Sequence, residues 1–160
     1  MEKIYGTTVR HDILIKAGRK RWLLYYGLYG EEGSTYEYRQ TFDHKPTLEE
    51  IKNTIIAQVD ENTDERILSG CLFQSNQVWL STENQFNYKA EYDLAVQTNG
   101  ANLPVTVKLG GADKPVYKQF NTLDEFQTFY TEVLAYIKQC YTDGWKEKDA
   151  IDWSKFECDD

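Results

Sequence analysis

Two stretches of nearly the same wording, Thr47-Leu48-Glu49-Glu50 and Thr122-Leu123-Asp124-Glu125, constrain most of what this chain can fold into. A threonine followed three residues later by a glutamate forms a reciprocal cap: the hydroxyl accepts from the glutamate N–H, and the carboxylate accepts from the threonine N–H. Each stretch therefore starts a helix. Behind the first, Leu48, Ile51, Ile55 and Val59 recur at helical spacing, and behind the second come Leu123, Phe126, Tyr130, Val133, Ile137 and Tyr141. The first helix should run to about Thr63 or a little beyond, and Gly144 should end the other. The strands preceding the two caps do not align, so the likeness is common capping chemistry and not an internal repeat.

Between the caps the chain switches period twice. Cys71-Leu72-Phe73 and Val78-Trp79-Leu80 flank Ser75-Asn76, which reads as strand, tight turn, strand. Ser81 to Gln85 then offers a helix cap, with Thr82 and Gln85 at reciprocal spacing. The helix should span about Glu83 to Gln97, with Phe86, Ala90, Leu94 and Val96 on or near its inner face, and Asn99-Gly100 should stop it. Leu103, Val105, Val107 and Leu109 alternate as a strand, Gly110 to Asp113 turns the chain, and Pro115 to Phe120 returns. Upstream, Val9–Lys16, Arg21–Tyr29 and Thr35–Phe42 read as an antiparallel meander. Arg21–Tyr29 is too apolar and aromatic for a surface strand and reads as a central strand or one buried on both faces. Pro46 ends the extended region. The expected class is α+β: an N-terminal antiparallel β-meander, then three helices interleaved with two β-hairpins. Residues 1–46 form an attachment element in this reading, and 47–160 form the α+β domain.

The chain has 160 residues, a length that suits one domain with at most a small appendage. Its net charge of −8 argues against a general nucleic-acid binder. The charge is uneven, with +4 over residues 1–30 and −12 over the rest. The run Arg19-Lys20-Arg21 could thus dock on an acidic neighbour or on another copy. Tyrosine is abundant, with 12 residues, which suits strands and protein interfaces, where an apolar ring and a wet hydroxyl are both useful. Cys71, Cys140 and Cys158 show neither metal spacing nor a disulfide framework. Met1 to Tyr5 lacks the apolar run of a signal peptide, and no stretch approaches membrane-spanning length. The expectation is a product made in the cytoplasm that contacts neither membrane nor nucleic acid.

Residue chemistry points away from catalysis. His11 and His44 lie outside any triad or metal spacing, and Gly110-Gly111 opens no helix that could hold a phosphate. Asp60, Glu61, Asp64 and Glu65 lack the glycine and alternating oxygens of a calcium loop and read as a solvated helix end. No catalytic, cofactor or metal residue is assigned, and the chain is expected not to be an enzyme. Trp79, Asn84, Asn87 and Tyr88, with Phe86, Gln85 and Tyr92 near them, combine aromatic faces with amides and could form a glycan platform. Alternatively, Trp79 and Phe86 are core while the amides bridge backbone. The tail from Trp145 keeps Ile151, Trp153 and Phe156 for docking, and the polar Glu157–Asp160 end suggests a partner that holds it.

The wording of Ile67–Gly70, Val78–Lys89, Tyr117–Thr122, Glu125–Tyr130 and Lys146–Ile151 resembles a domain of unknown function recurrent in phage tail-region and tail-fibre assembly proteins. Small proteins of crAss-like phages that infect gut Bacteroidetes look similar over nearly the whole chain, whereas the meander before residue 46 departs from the tail-fibre examples. The resemblance brings no catalytic residues. It implies a virion structural protein of the tail, neck or fibre region, working through contacts with other virion proteins and with copies of itself. A fibre-assembly chaperone and a glycan-binding receptor module are the alternatives. Arg19, Lys20, Arg21, Trp153 and Phe156 are the candidate interface residues.

Overall fold

A computed structural model describes residues 1–157. Of the Glu157–Asp160 end, expected to be held by a partner, residues 158–160 lie outside the described residues. The fold is α+β, with a four-stranded antiparallel sheet, three α-helices and two separate hairpins. Packing divides the chain into two compact units, Met1–Glu61 with Glu147–Asp160, and Asn62–Lys146. The first cut falls within the first helix.

The first unit is built on strands β1 (Glu2–Tyr5), β2 (Ile13–Lys16), β3 (Trp22–Tyr29) and β4 (Tyr36–Phe42), in the order β1-β4-β3-β2. β3 is central, as its apolar composition requires. β1 is an addition to the expected meander. It covers the outer edge of β4 in the register Glu2↔Arg39 to Tyr5↔Tyr36, with Glu2 accepting from Arg39 at 2.7 Å. Helix α1 (Leu48–Ser69) starts at its reciprocal cap: Thr47 N–H donates to Glu50 Oε2 at 2.8 Å, and Glu50 N–H donates to Thr47 Oγ1 at 3.2 Å. Its Ile51, Ile55 and Val59 pack with Trp22, Leu24 and Tyr26 of β3. Ile151 and Phe156, the latter in a short 3-10 helix at Trp153–Phe156, complete that core. The phenols of Tyr26 and Tyr29 both donate to Glu147 Oε1. Burial, then the Glu147 carboxylate, pushes both phenols well above their ordinary range.

The second unit holds the end of α1, strands β5 (Cys71–Phe73) and β6 (Asn76–Val78), helix α2 (Thr82–Gln97), strands β7 (Val105–Gly111) and β8 (Lys114–Phe120), and most of helix α3 (Leu123–Asp149). Phe73, Val78, Leu80, Val107, Leu109, Phe120, Phe126 and Phe129 form its core, where the rings of Phe73 and Phe129 meet edge to face at 5.1 Å. The second reciprocal cap is in place, Thr122 and Glu125 exchanging bonds of 3.3 and 3.2 Å.

Four local expectations are corrected. The first hairpin turns at Gln74-Ser75, one residue before Ser75-Asn76, because its two turn positions take φ +48° and +65° and Asn76 is needed to pair with Phe73. α2 is capped by Ser81, whose hydroxyl accepts from Asn84 N–H, and not by Thr82. The Gln85 amide turns instead to the Leu80 carbonyl. α1 continues past Thr63 to Ser69, where Gly70 at φ +81° ends it. α3 does not end at Gly144. That residue is buried within the helix, and a Cβ there would come within 3.0 Å of Thr63 Oγ1. The glycine permits a close approach of two helices.

Candidate functional site

An open groove of about 870 Å³ in the second unit runs between α2 and β7. Its position follows from local chemistry. β6 ends at Val78, Leu80 is fully buried, and Ser81 starts α2 at once, so Trp79 is pinned at one end of the groove. The Trp79 indole N–H donates to the Gly110 carbonyl at 2.7 Å, and its own carbonyl accepts from Asn84 Nδ2 at 3.1 Å and Tyr88 OH at 3.3 Å. At the far end Asn102 donates to Glu91 Oε2 at 3.3 Å.

Trp79, Asn84, Asn87 and Tyr88 all line this groove, so the structure brings the four sequence-named residues together. Their roles differ. Trp79 is 45% exposed and Asn87 faces solvent, whereas Tyr88 is buried with its ring edge to face against Phe129 at 5.3 Å. Burial, and then Cys71 nearby, holds the Tyr88 phenol above its usual range. Asn84 spends its amide N–H on backbone, as the bridging alternative requires. Phe86 is not core, standing 69% exposed outside this groove. The opposite wall, β7 with Thr106, Lys108 and Gly110, is what sequence reasoning missed. Lys108 is exposed and takes part in no ion pair among the described residues.

A second, smaller cleft of about 320 Å³ lies between α2 and α3 in the same unit, lined by Phe86, Tyr88, Tyr130, Val133, Leu134 and Ile137 among others. Beside it Tyr141 and Trp145 stack with ring centroids 6.3 Å apart, and Trp145 is 58% exposed.

The remaining candidates lie in the first unit. Arg19, Lys20 and Arg21 are exposed in the β2–β3 turn, which Ala17 N–H closes onto the Arg21 carbonyl at 2.8 Å. Trp153 is half-buried with Lys52 Nζ 5.5 Å from its ring centre. Phe156 is a correction: it is 2% exposed and serves the core. Asp152 accepts from Ser154 N–H and starts the 3-10 turn that aims Phe156 inward, leaving Trp153 as the surface of the tail. Asp60 and Glu61 lie inside α1 and are engaged by Lys148 at 2.7 Å and by Gln58 at 2.9 Å. His11 faces the buried Glu37 at 2.9 Å, and His44 lies between Asp43 and Glu50. Among the described residues no group of three or more histidine, cysteine or acidic side chains is placed to hold a metal, and no helix is long and apolar enough to cross a membrane.

The model of a domain of unknown function, DUF4376, matches residues 50–159. No curated protein and no solved structure matches the chain.

Proposed function

The chain belongs to the DUF4376 family, a domain of unknown function, and we propose that it is a structural subunit of a phage particle, in the tail, neck or fibre region, that acts through protein–protein contacts in a multi-copy assembly. The observation that carries the contact role is the exposed aromatic surface of the second unit. Phe86 and Tyr141 line an apolar cleft and the exposed Trp145 stacks on Tyr141 beside it, where a monomer gains nothing by exposing them and an interface gains most from rings. The phage setting is supported by the motif wording given above. Partners are other virion proteins and copies of this chain, with no nucleic acid and no membrane, and the location is the virion after synthesis in the host bacterial cytoplasm. Arg19, Lys20 and Arg21, held out on their turn, suit an acidic neighbour.

Mass spectrometry of purified particles tests this reading. The chain should be present at a stoichiometry set by the symmetry of its ring or fibre. Its absence from mature particles would instead support the dissociable fibre-assembly chaperone. Within the assembly, reversing the three basic charges should weaken incorporation while the monomer stays folded.

A second reading, a glycan-binding receptor module, is favoured by one observation: Trp79, Asn84 and Asn87 converge on one open groove. Titration with simple glycans should then change tryptophan fluorescence, and an unchanged signal from folded protein would remove this reading.

A further inference from the structure

We propose that the α2–β7 groove is a strand-addition site, in which an extended segment of a partner protein pairs with the free edge of β7. This rests on the contact role proposed above and assigns it a surface and a chemistry.

Pro115 fixes which backbone groups of β7 face β8. β7 and β8 pair in regular register from Val105↔Phe120 to Gly111↔Lys114, and Gly110 lies opposite Pro115. A proline has no N–H to give, so Gly110↔Pro115 must be a non-bonded pair of the antiparallel ladder. Bonded and non-bonded pairs alternate, so Lys108↔Tyr117 and Thr106↔Gln119 are non-bonded as well. The N–H and C=O groups of Thr106, Lys108 and Gly110 therefore point away from β8. The Trp79 indole confirms the direction, because it reaches the Gly110 carbonyl from that side. β7 is hydrogen-bonded to no other strand among the described residues, and no backbone or side-chain bond to Thr106 or Lys108 is present there.

The groove lies along this edge. Pro104, Val105, Thr106, Val107 and Lys108 line it consecutively, whereas a groove over one face of a strand would be lined by alternate residues. α2 forms the far wall and stands off far enough to leave about 870 Å³. A strand laid between them covers roughly 13 Å from Pro104 to Lys108, about four residues at 3.3 Å each, because the Trp79 indole already takes the Gly110 carbonyl.

The occupant's chemistry follows from the two faces of β7. Side chains level with Val105 and Val107 would meet Tyr88 and Phe126, so those positions are apolar. Side chains level with Thr106 and Lys108 lie on the exposed face, beside a cation with no ion partner among the described residues, so one of them is acidic. The fitting partner is an extended peptide alternating apolar with polar or acidic residues. Backbone bonding supplies affinity and the alternate side chains supply selection.

The test uses the full chain and a pooled set of labelled synthetic peptides of about eight residues, valine alternating with glutamate or threonine. Fluorescence polarisation should show saturable binding. Thr106→Pro removes an N–H that β8 does not use, so the hairpin survives, as circular dichroism would verify, and binding should fall by at least tenfold. Lys108→Glu should weaken the glutamate peptides and spare the threonine ones. Methylating alternate peptide amides should abolish binding in one phase and leave it intact in the other. Absence of binding across the set, or equal binding of both methylated series, would overturn the proposal. So would a groove that binds galactose or N-acetylglucosamine with a tryptophan signal while ignoring peptides. Absence of the chain from purified particles sinks the virion reading, whereas a particle-borne chain whose β7 edge takes no peptide sinks this inference alone.

Discussion

Replacing Gly144 by alanine sets two effects of opposite sign against each other. In an open helix the change would stabilise by up to about 1 kcal/mol, since alanine is the better helix former. Here the added methyl would stand within 3.0 Å of Thr63 Oγ1, with Thr63 Cβ and Cγ2 at 3.5 Å. Thr63 is 4% exposed and close-packed, so it has little room to swing aside. Overpacking of this kind costs about 1–3 kcal/mol. The clash should win, leaving Gly144→Ala less stable by up to about 2 kcal/mol, or up to about 8 °C in Tm for a chain of this size. Urea unfolding followed by circular dichroism and by tryptophan fluorescence measures it, and coincident curves check that one transition is being read. The double variant Thr63→Ala/Gly144→Ala removes the obstructing hydroxyl and should recover most of the loss, a coupling of about 1 kcal/mol. A Gly144→Ala protein more stable than the parent, or a double variant that shows no coupling, would refute the close helix approach.

Glu50→Ala and Glu125→Ala should each lower the urea midpoint, because each carboxylate satisfies an N–H at its helix start. The hydrogen bond with Asp43, and then that with Glu50, raises the His44 pKa, so an NMR titration should place its midpoint above the ordinary value of about 6.5. A raised folded value means that this contribution is fully present below about pH 6.5 and is lost as pH rises through the His44 midpoint. Asp43→Asn should lower that midpoint. Phe156→Ala should destabilise by about 3–5 kcal/mol and Trp153→Ala by clearly less, so truncation after Lys148 should impair the fold itself. In the free protein the amides of Thr106 and Lys108 should exchange with solvent deuterium much faster than those of Val107 and Leu109, and equal protection would mean that the β7 edge is already covered.

Local chemistry was readable where one residue decides it. The two Thr-Leu-x-Glu caps and the stop at Asn99-Gly100 stand as their side chains require. Long-range packing was not. Gly144 looks like a helix stop until Thr63 is placed against it, and nothing within α3 announces that neighbour. β1 carries too few apolar residues to signal a strand, and exists because β4 presents an edge to it. Phe156 looked like a docking residue because its core partners, Trp22 and Leu24, lie more than a hundred positions away. For the groove, aromatic and amide residues at one helix start were enough to name one wall. The other wall is backbone, and its orientation depends on ladder parity. The expected turn at Gly110–Asp113 hid that parity, whereas the observed pairing of Gly110 with Pro115 fixes it.

The division of the chain has a consequence for its synthesis. The first unit is discontinuous, and its core needs Ile151 and Phe156 from the far end to sit with Trp22, Leu24 and Ile51. Synthesis runs from the N-terminus at about 5–20 residues per second, so the four strands emerge early and then wait some seconds for their last core partners. The intervening unit, Asn62–Lys146, is contiguous and can gather its own core meanwhile. The segment made first is thus among the last to be completed, and a ribosome stalled shortly before Ile151 would hold a formed middle and an unfinished beginning.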